Sequence, residues 1–300
     1  MELTRKTVSA TVATLWSNPE SARTVDEKAI HNPVDLEGWL DQLSYSSSLA
    51  LCDENRVQSQ VLYGDEVLIL EEKNDWSHVI VPSQPSSKDP RGYPGWIPTE
   101  QLSEEIYDGD GVYVSIIKHG AAVTNQGDDK MHLSYQTRLP LIDHTIDEYR
   151  VWTPHGDSLI KKEHSELVEV NGDVGNGDEL VKNAEKFIGL LYLWGGMSSY
   201  GYDCSGFSYN MARSIGCTIP RDAHDQMKSG ERVQDGNWDV GDLLFFAYEK
   251  GKGSVHHVGM YYGDGKMIHS PSTGRIIEIT PLKGTIYEEE LCGVRRYWGN

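Results

Sequence analysis

The rhythm of apolar and polar positions changes near residue 175. Over residues 1–170 apolar residues come in short strand-like segments separated by turn residues. Val61 to Leu70 and His78 to Val81 predict strands, with the polar Glu71 to Asp75 as the turn between them. The stretch Asp89-Pro90-Arg91-Gly92-Tyr93-Pro94-Gly95-Trp96-Ile97-Pro98 predicts a Pro/Gly-punctuated loop feeding a short strand. Leu36, Trp39, Leu40 and Leu43 fall at helical spacing and predict a brief helical insertion over Asp35 to Leu43. Gly111 to Ile117, Ala121 to Thr124, Thr137 to Leu141 and Tyr149 to Thr153 predict a second β-rich group. Each group has roughly the 60 to 90 residues of a small barrel, so two barrels are expected rather than one large domain.

Asn171 to Gly177 is a linker by composition. A helix is expected from Asp178, with Leu180, Ala184, Phe187, Ile188 and Leu191 on one face. A second helix is expected over Cys204 to Ile215, with Phe207, Met211 and Ile215 inward and Gly216 at its C-terminal cap. Strands follow at Asp242 to Tyr248, His256 to Gly263, Lys266 to Ser270 and near Gly293 to Trp298. Helices first and an antiparallel sheet after make this part α+β. The expected domains are 1–104, a first barrel with the helical insertion; 105–172, a second barrel; and 173–300, the α+β domain.

Charge and cysteine usage narrow the possibilities. The 27 basic against 46 acidic residues give a net charge of −19, which argues against nucleic acid or an anionic membrane surface as the partner. Apolar runs fall far short of the ~20 residues of a bilayer span, so no membrane insertion is expected. Met1 to Trp16 has Arg5 and Lys6 but no apolar core of signal type, so a cytoplasmic protein is expected, or an extracellular one if a leader has been removed. The four cysteines are too scattered for a disulfide scaffold, and without a CxxC pair no metal is expected.

Cys204 stands in Tyr202-Asp203-Cys204-Ser205-Gly206-Phe207, at the expected start of a helix. Unpaired amides and the positive end of the dipole there favour a thiolate, and small Ser205 and Gly206 let a substrate approach. The bland alternative is a buried structural thiol. A base lies in His256-His257-Val258-Gly259, and His269 follows the Gly263-Asp264-Gly265 turn. A two-residue Asp-Gly turn would set His257 and His269 on opposite faces of the sheet. A three-residue loop with Gly265 left-handed would set them on one face, two residues off register. Only then could His269 orient His257 while His257 activates Cys204. His256 points to the other face. Arg221 could serve a substrate carboxylate, or equally pair with Asp222 or another acid.

Gly189-x-x-Tyr192-x-Trp194-Gly195-Gly196, Asp203-Cys204-Ser205-Gly206-Phe207, Pro220-Arg221-Asp222, Gly241-Asp242-Leu243-Leu244-Phe245-Phe246, His257-Val258-Gly259 and Ile268-His269, in this order, closely resemble the NlpC/p-sixty family of cell-wall cysteine peptidases. The resemblance implies a papain-like core with Cys204 as nucleophile, His257 as base, His269 as third polar residue and Tyr192 near the oxyanion. With the preceding barrels, read as SH3-like, the whole chain is similar to the YkfC-type γ-D-glutamyl-L-diamino acid endopeptidases. That likeness implies cleavage, without a cofactor, after D-Glu in murein tri- or tetrapeptides carrying a free N-terminal L-Ala. It also implies amine recognition by the loop tyrosine Tyr93 with Asp203, Ser205 and Asp222, and by an acidic first-barrel residue near Gln58 or Glu66. Competing expectations are a secreted autolysin, a silent wall-peptide-binding scaffold, and an acyltransferase using the same triad.

Overall fold

The computed structural model of the chain describes residues 3–109, 111–125, 130–169 and 172–299; Met1 of the N-terminal stretch and Asn171 of the linker lie outside them. The chain divides into two compact units, Met1–Ser83 with Arg91–Gly172 and Ser198–Tyr200, and Gln84–Pro90 with Asp173–Met197 and Gly201–Asn300.

The first unit holds two separate seven-stranded sheets. Strands Thr4–Val8, Val12–Trp16, Val57–Leu62, Glu66–Lys73, Trp76–Val81, Tyr93–Pro98 and Leu102–Ser103 build the first barrel around Val8, Leu15, Val61, Val67, Val79 and Ile97. Val61 to Leu70 is two strands and not one, because the chain turns through Gly64 at φ 82°. The following strand then runs on to Lys73, and Asn74 at φ 54° starts the hairpin turn to Trp76. The insertion carries the helix Leu36–Gln42, started by the Asp35 carboxylate accepting from Gly38 N at 2.9 Å. It also carries the helix Tyr45–Asp53, whose Ser-rich first turn gives no helical pattern in the sequence.

The second barrel contains Val112–Ile116, Ala121–Asn125, Lys130–Leu133, Arg138–His144, Glu148–Val151, Ser158–Lys161 and Ser165–Glu169. Tyr63 of the first barrel is buried in its core beside Val114, Val123 and Leu139, and its hydroxyl meets His155 Nδ1 at 2.9 Å. Two barrels that share a core residue explain why they count as one unit.

In the second unit the sheet runs, edge to edge, Glu231–Arg232, Leu291–Arg296, Leu243–Ala247, Val255–Gly263, Lys266–His269 and Glu278–Pro281, all antiparallel. The helix Gly177–Glu185 opens with a capping box between Asn176 and Glu179. It ends at Glu185, short of Leu191. Gly189 at φ 92° turns the chain into a backbone pairing of Gly189 and Leu190 with Ile277, and Ile188 and Leu191 are left 50% and 61% exposed. The helix Cys204–Ser214 buries Phe207 and Met211, with Ile215 at its C-cap and Gly216 following at φ 82°. Helices and an antiparallel sheet make the unit α+β.

Candidate active site

Cys204 opens its helix directly after Asp203, the N-cap. Asp203 accepts from Gly206 N at 2.6 Å and, with its other oxygen, from Gly195 N at 3.0 Å. Gly206 is required here, because a Cβ would come within 2.1 Å of the Gly196 carbonyl oxygen. The first helical turn is therefore pressed against the Gly195–Gly196 turn, and the sulfur is presented at its start.

Cys204 is only partly exposed. Burial pushes the Cys204 thiol up to about 12, and the Asp203 charge adds to this. Hydrogen bonding from the backbone of Val258 and Ser205, and the Arg221 charge, act the other way. A thiolate favoured by the helix start alone is thus not the resting form; desolvation outweighs the helix N-terminus. The bond from Val258 also puts the sulfur against the strand that carries His257.

His257 and His269 are both buried, and His257 Nε2 lies 2.7 Å from His269 Nδ1. The connecting turn is the two-residue Asp264-Gly265, both at positive φ (50° and 67°), between paired Gly263 and Lys266. By itself it would put the two rings on opposite faces. A bulge between Tyr261 and Gly263 inserts one extra residue and restores the common face. Gly259 then falls opposite His269, and an added Cβ there would lie 3.1 Å from the His269 Cβ. With no side chain at Gly259, His257 reaches diagonally to its partner.

Burial drives His257 well below the ordinary imidazole range, reinforced by His269 and His256; burial, with Arg275, pushes His269 down to about 3. Both rings are neutral near pH 7. His269 Nε2 contacts Thr280 Oγ1 at 3.0 Å. His256 faces away, bonded to Glu290 at 3.0 Å and stacked on Tyr248.

Arg221 is 1% exposed and donates to Asp203 at 3.1 and 2.6 Å and to Ser205 Oγ at 2.8 Å. It forms a buried ion pair with Asp203. Asp222, half-buried, lies 3.6 Å from Lys88. Asp222, His224 and Asp225 bring potential ligand atoms within 4.8 Å of one another, but Lys228 lies 3.6 Å from Asp225 and Ser87 N donates to that carboxylate at 2.9 Å. With two ammonium groups and an amide already on its carboxylates, this is an ion-pair cluster by composition.

Tyr192 pairs through its backbone with Tyr202, two residues before Cys204, and donates its N–H to Arg275 O at 2.9 Å. Tyr93 is not in a loop: it is the first residue of a strand and belongs to the first barrel's core. In the same barrel Glu66 is bonded to Arg5 at 2.7 Å, and Gln58 to Ser17 Oγ at 2.6 Å.

Sequence reasoning missed Tyr287 and Thr280. The Tyr287 ring stands 5.4 Å from that of His257 and 5.2 Å from that of His269, walling the pair off from one side. Tyr287 sits on a short helix, Ile286–Glu290, that has no apolar periodicity, and Thr280 on an edge strand that sequence reasoning did not predict.

A thiol at a helix start, a neutral imidazole on the strand beside it and a second imidazole bonded to the first are the groups that acyl transfer through a thioester can use. Residues 189–296 match the model of the NlpC/P60 family, and residues 121–167 that of the YKFC SH3b2 domain. The chain is 45% identical over 293 residues to the γ-D-glutamyl-L-lysine dipeptidyl-peptidase of Bacillus subtilis (strain 168), covering 97% of this chain and 98% of that one. It is 39% identical over 299 residues to the γ-D-glutamyl-L-lysine dipeptidyl-peptidase of Bacillus cereus (strain ATCC 10987 / NRS 248), covering 97% and 90%. The crystal structure of an NlpC/P60 family protein from Bacillus cereus ATCC 10987 superposes with a TM-score of 0.95 at 38% identity, covering 98% of this chain and 100% of that one. The chain belongs to the NlpC/P60 family.

Proposed function

We propose that this NlpC/P60 family member is a cysteine peptidase that hydrolyses the γ-D-glutamyl bond to an L-diamino acid in murein peptides with a free N-terminal L-Ala, and that it serves wall-peptide recycling in the cytoplasm. One observation carries the reading: His257, 2.7 Å from His269 on the neighbouring strand, lies on the strand whose backbone touches the Cys204 thiol, in a chain similar end to end to a γ-D-glutamyl-L-lysine dipeptidyl-peptidase.

In the resting site both thiol and imidazole are neutral. As the scissile carbonyl docks, the Cys204 proton passes to His257 and the sulfur bonds to the γ-carbonyl carbon of D-Glu. The carbonyl oxygen takes up the negative charge at the helix start, where the first amides have no partner within the helix; Tyr192 is assigned to the same oxygen. The imidazolium gives its proton to the leaving amine, the C–N bond breaks, and the thioester remains. Water then attacks the thioester, with His257 taking its proton and returning one to the sulfur. The amine subsite is assigned to Asp222 with the Asp203–Ser205 pair, since a buried ammonium needs acceptors. Arg221 serves that subsite by holding Asp203.

The test compares L-Ala-γ-D-Glu-L-Lys, its diaminopimelate analogue and their N-acetylated twins, with wild type and Cys204→Ala. Cleavage of the free-amine peptides alone, lost in the variant, is expected. Equal cleavage of acetylated and free peptides would overturn the amine subsite, and activity surviving in Cys204→Ala would overturn the nucleophile.

A further inference from the structure

We propose that Thr280, itself oriented by Glu278, fixes the tautomer of the His257–His269 pair and so makes His257 a base; Thr280 is a positioning residue for the reaction proposed above.

One chain of contacts fixes where each proton sits. Thr280 Oγ1 donates to Glu278 Oε1 at 3.3 Å, and an ionised carboxylate only accepts. Arg275 Nη2 donates to the same oxygen at 2.5 Å and holds the carboxylate in place. The Thr280 hydroxyl has one proton, already directed at Glu278, so toward His269 Nε2, 3.0 Å away, it can only accept. His269 therefore carries its proton on Nε2 and a lone pair on Nδ1. His257 Nε2, 2.7 Å from that lone pair, must donate. A neutral imidazole has one N–H, so His257 Nδ1 is left with its lone pair, ready for the thiol proton. If Thr280 donated to His269 instead, every bond would reverse. His257 would then hold its proton on Nδ1 and could not take one from sulfur.

Among the described residues, the rings of His269, Tyr287, Phe246 and His256 lie within 6.4 Å of the His257 ring, and Arg275, Glu278 and Thr280 face His269. Burial keeps both rings uncharged near neutral pH, which leaves the tautomer as the variable that decides catalysis.

The experiment uses the full chain labelled with 15N-histidine, observed by NMR near pH 7.5, as wild type, Thr280→Val and Thr280→Ser, beside steady-state kinetics. In wild type and Thr280→Ser both rings are expected protonated on Nε2. In Thr280→Val the Nδ1-protonated form of His257 is expected to appear, with kcat lowered about tenfold to a hundredfold, KM within about twofold, and serine restoring both. A wild-type His257 protonated on Nδ1 overturns the proposal. So does a Thr280→Val protein whose tautomers are unchanged, whatever its kcat. Should none of the peptides be cleaved by wild type, the proposed function fails by itself, and the NMR comparison still decides the tautomer.

Discussion

Replacing Arg221 with methionine keeps most of the side-chain length and removes the hydrogen bonds at 3.1 and 2.6 Å to Asp203 and 2.8 Å to Ser205. Asp203 would stay buried with the Gly195 and Gly206 amides and the Ser205 hydroxyl as its remaining donors. Breaking a buried ion pair by deleting one partner destabilises by about 3–5 kcal/mol. Three surviving donors place this case at the lower end, about 3 kcal/mol, or roughly a hundredfold in an opening equilibrium. Native-state hydrogen exchange of amides in the Cys204–Ser214 helix reads that quantity directly. Protection there should fall by about two orders of magnitude in Arg221→Met, and Asp203→Asn added to it should recover about a tenfold part by removing the orphaned charge. A loss below about fivefold (~1 kcal/mol) would refute the reasoning, because it would mean that water already solvates the carboxylate.

Three further outcomes follow from the same geometry. Alkylation of Cys204 by iodoacetamide, followed by mass spectrometry of its peptide, should rise only above the ~8.5 of a free cysteine, because burial raises the thiol; a plateau reaching down to acid pH would instead reveal a thiolate–imidazolium pair. The His269 pKa is lowered to about 3 in the fold, so below ~6.5 the unfolded chain binds the extra proton and stability drops as pH falls toward 3, by about 1.4 kcal/mol per pH unit for this ring. Urea unfolding at pH 4.5 and 7 should show that loss shrink in His269→Gln, and an unchanged pH dependence would count against a buried neutral ring. Gly259→Ala would set a Cβ 2.8 Å from Met267 Sδ and 3.1 Å from the His269 Cβ, so kcat should fall at least tenfold while the far-UV circular dichroism is kept. Full activity in that variant would show that the diagonal reach needs no gap.

Much of the site was legible because its signals are local. Asp203 before Cys204, small residues after it and Gly216 beyond mark a capped helix whatever it packs on. Strand alternation likewise located His257 and His269 on neighbouring strands. The end of the Gly177–Glu185 helix was less legible. Ile188 and Leu191 continue a helical spacing, yet Gly189 takes a positive φ and the backbone finds a better partner at Ile277.

By itself the sequence determined which groups exist and the local conformation each favours, since caps, turns and periodicity act over three to five residues. Only the tertiary structure decided how they meet. The face shared by His257 and His269 depends on one bulge residue that alternation cannot count. The partner of Arg221 was chosen among several acids by burial, and the neutral state of the thiol by desolvation outweighing the helix start. Tyr287 and Thr280 join the site from elements with no pattern of their own. Each of these turns on low-dielectric packing between segments far apart in the chain, where solvent exclusion sets which charge, tautomer and contact survive.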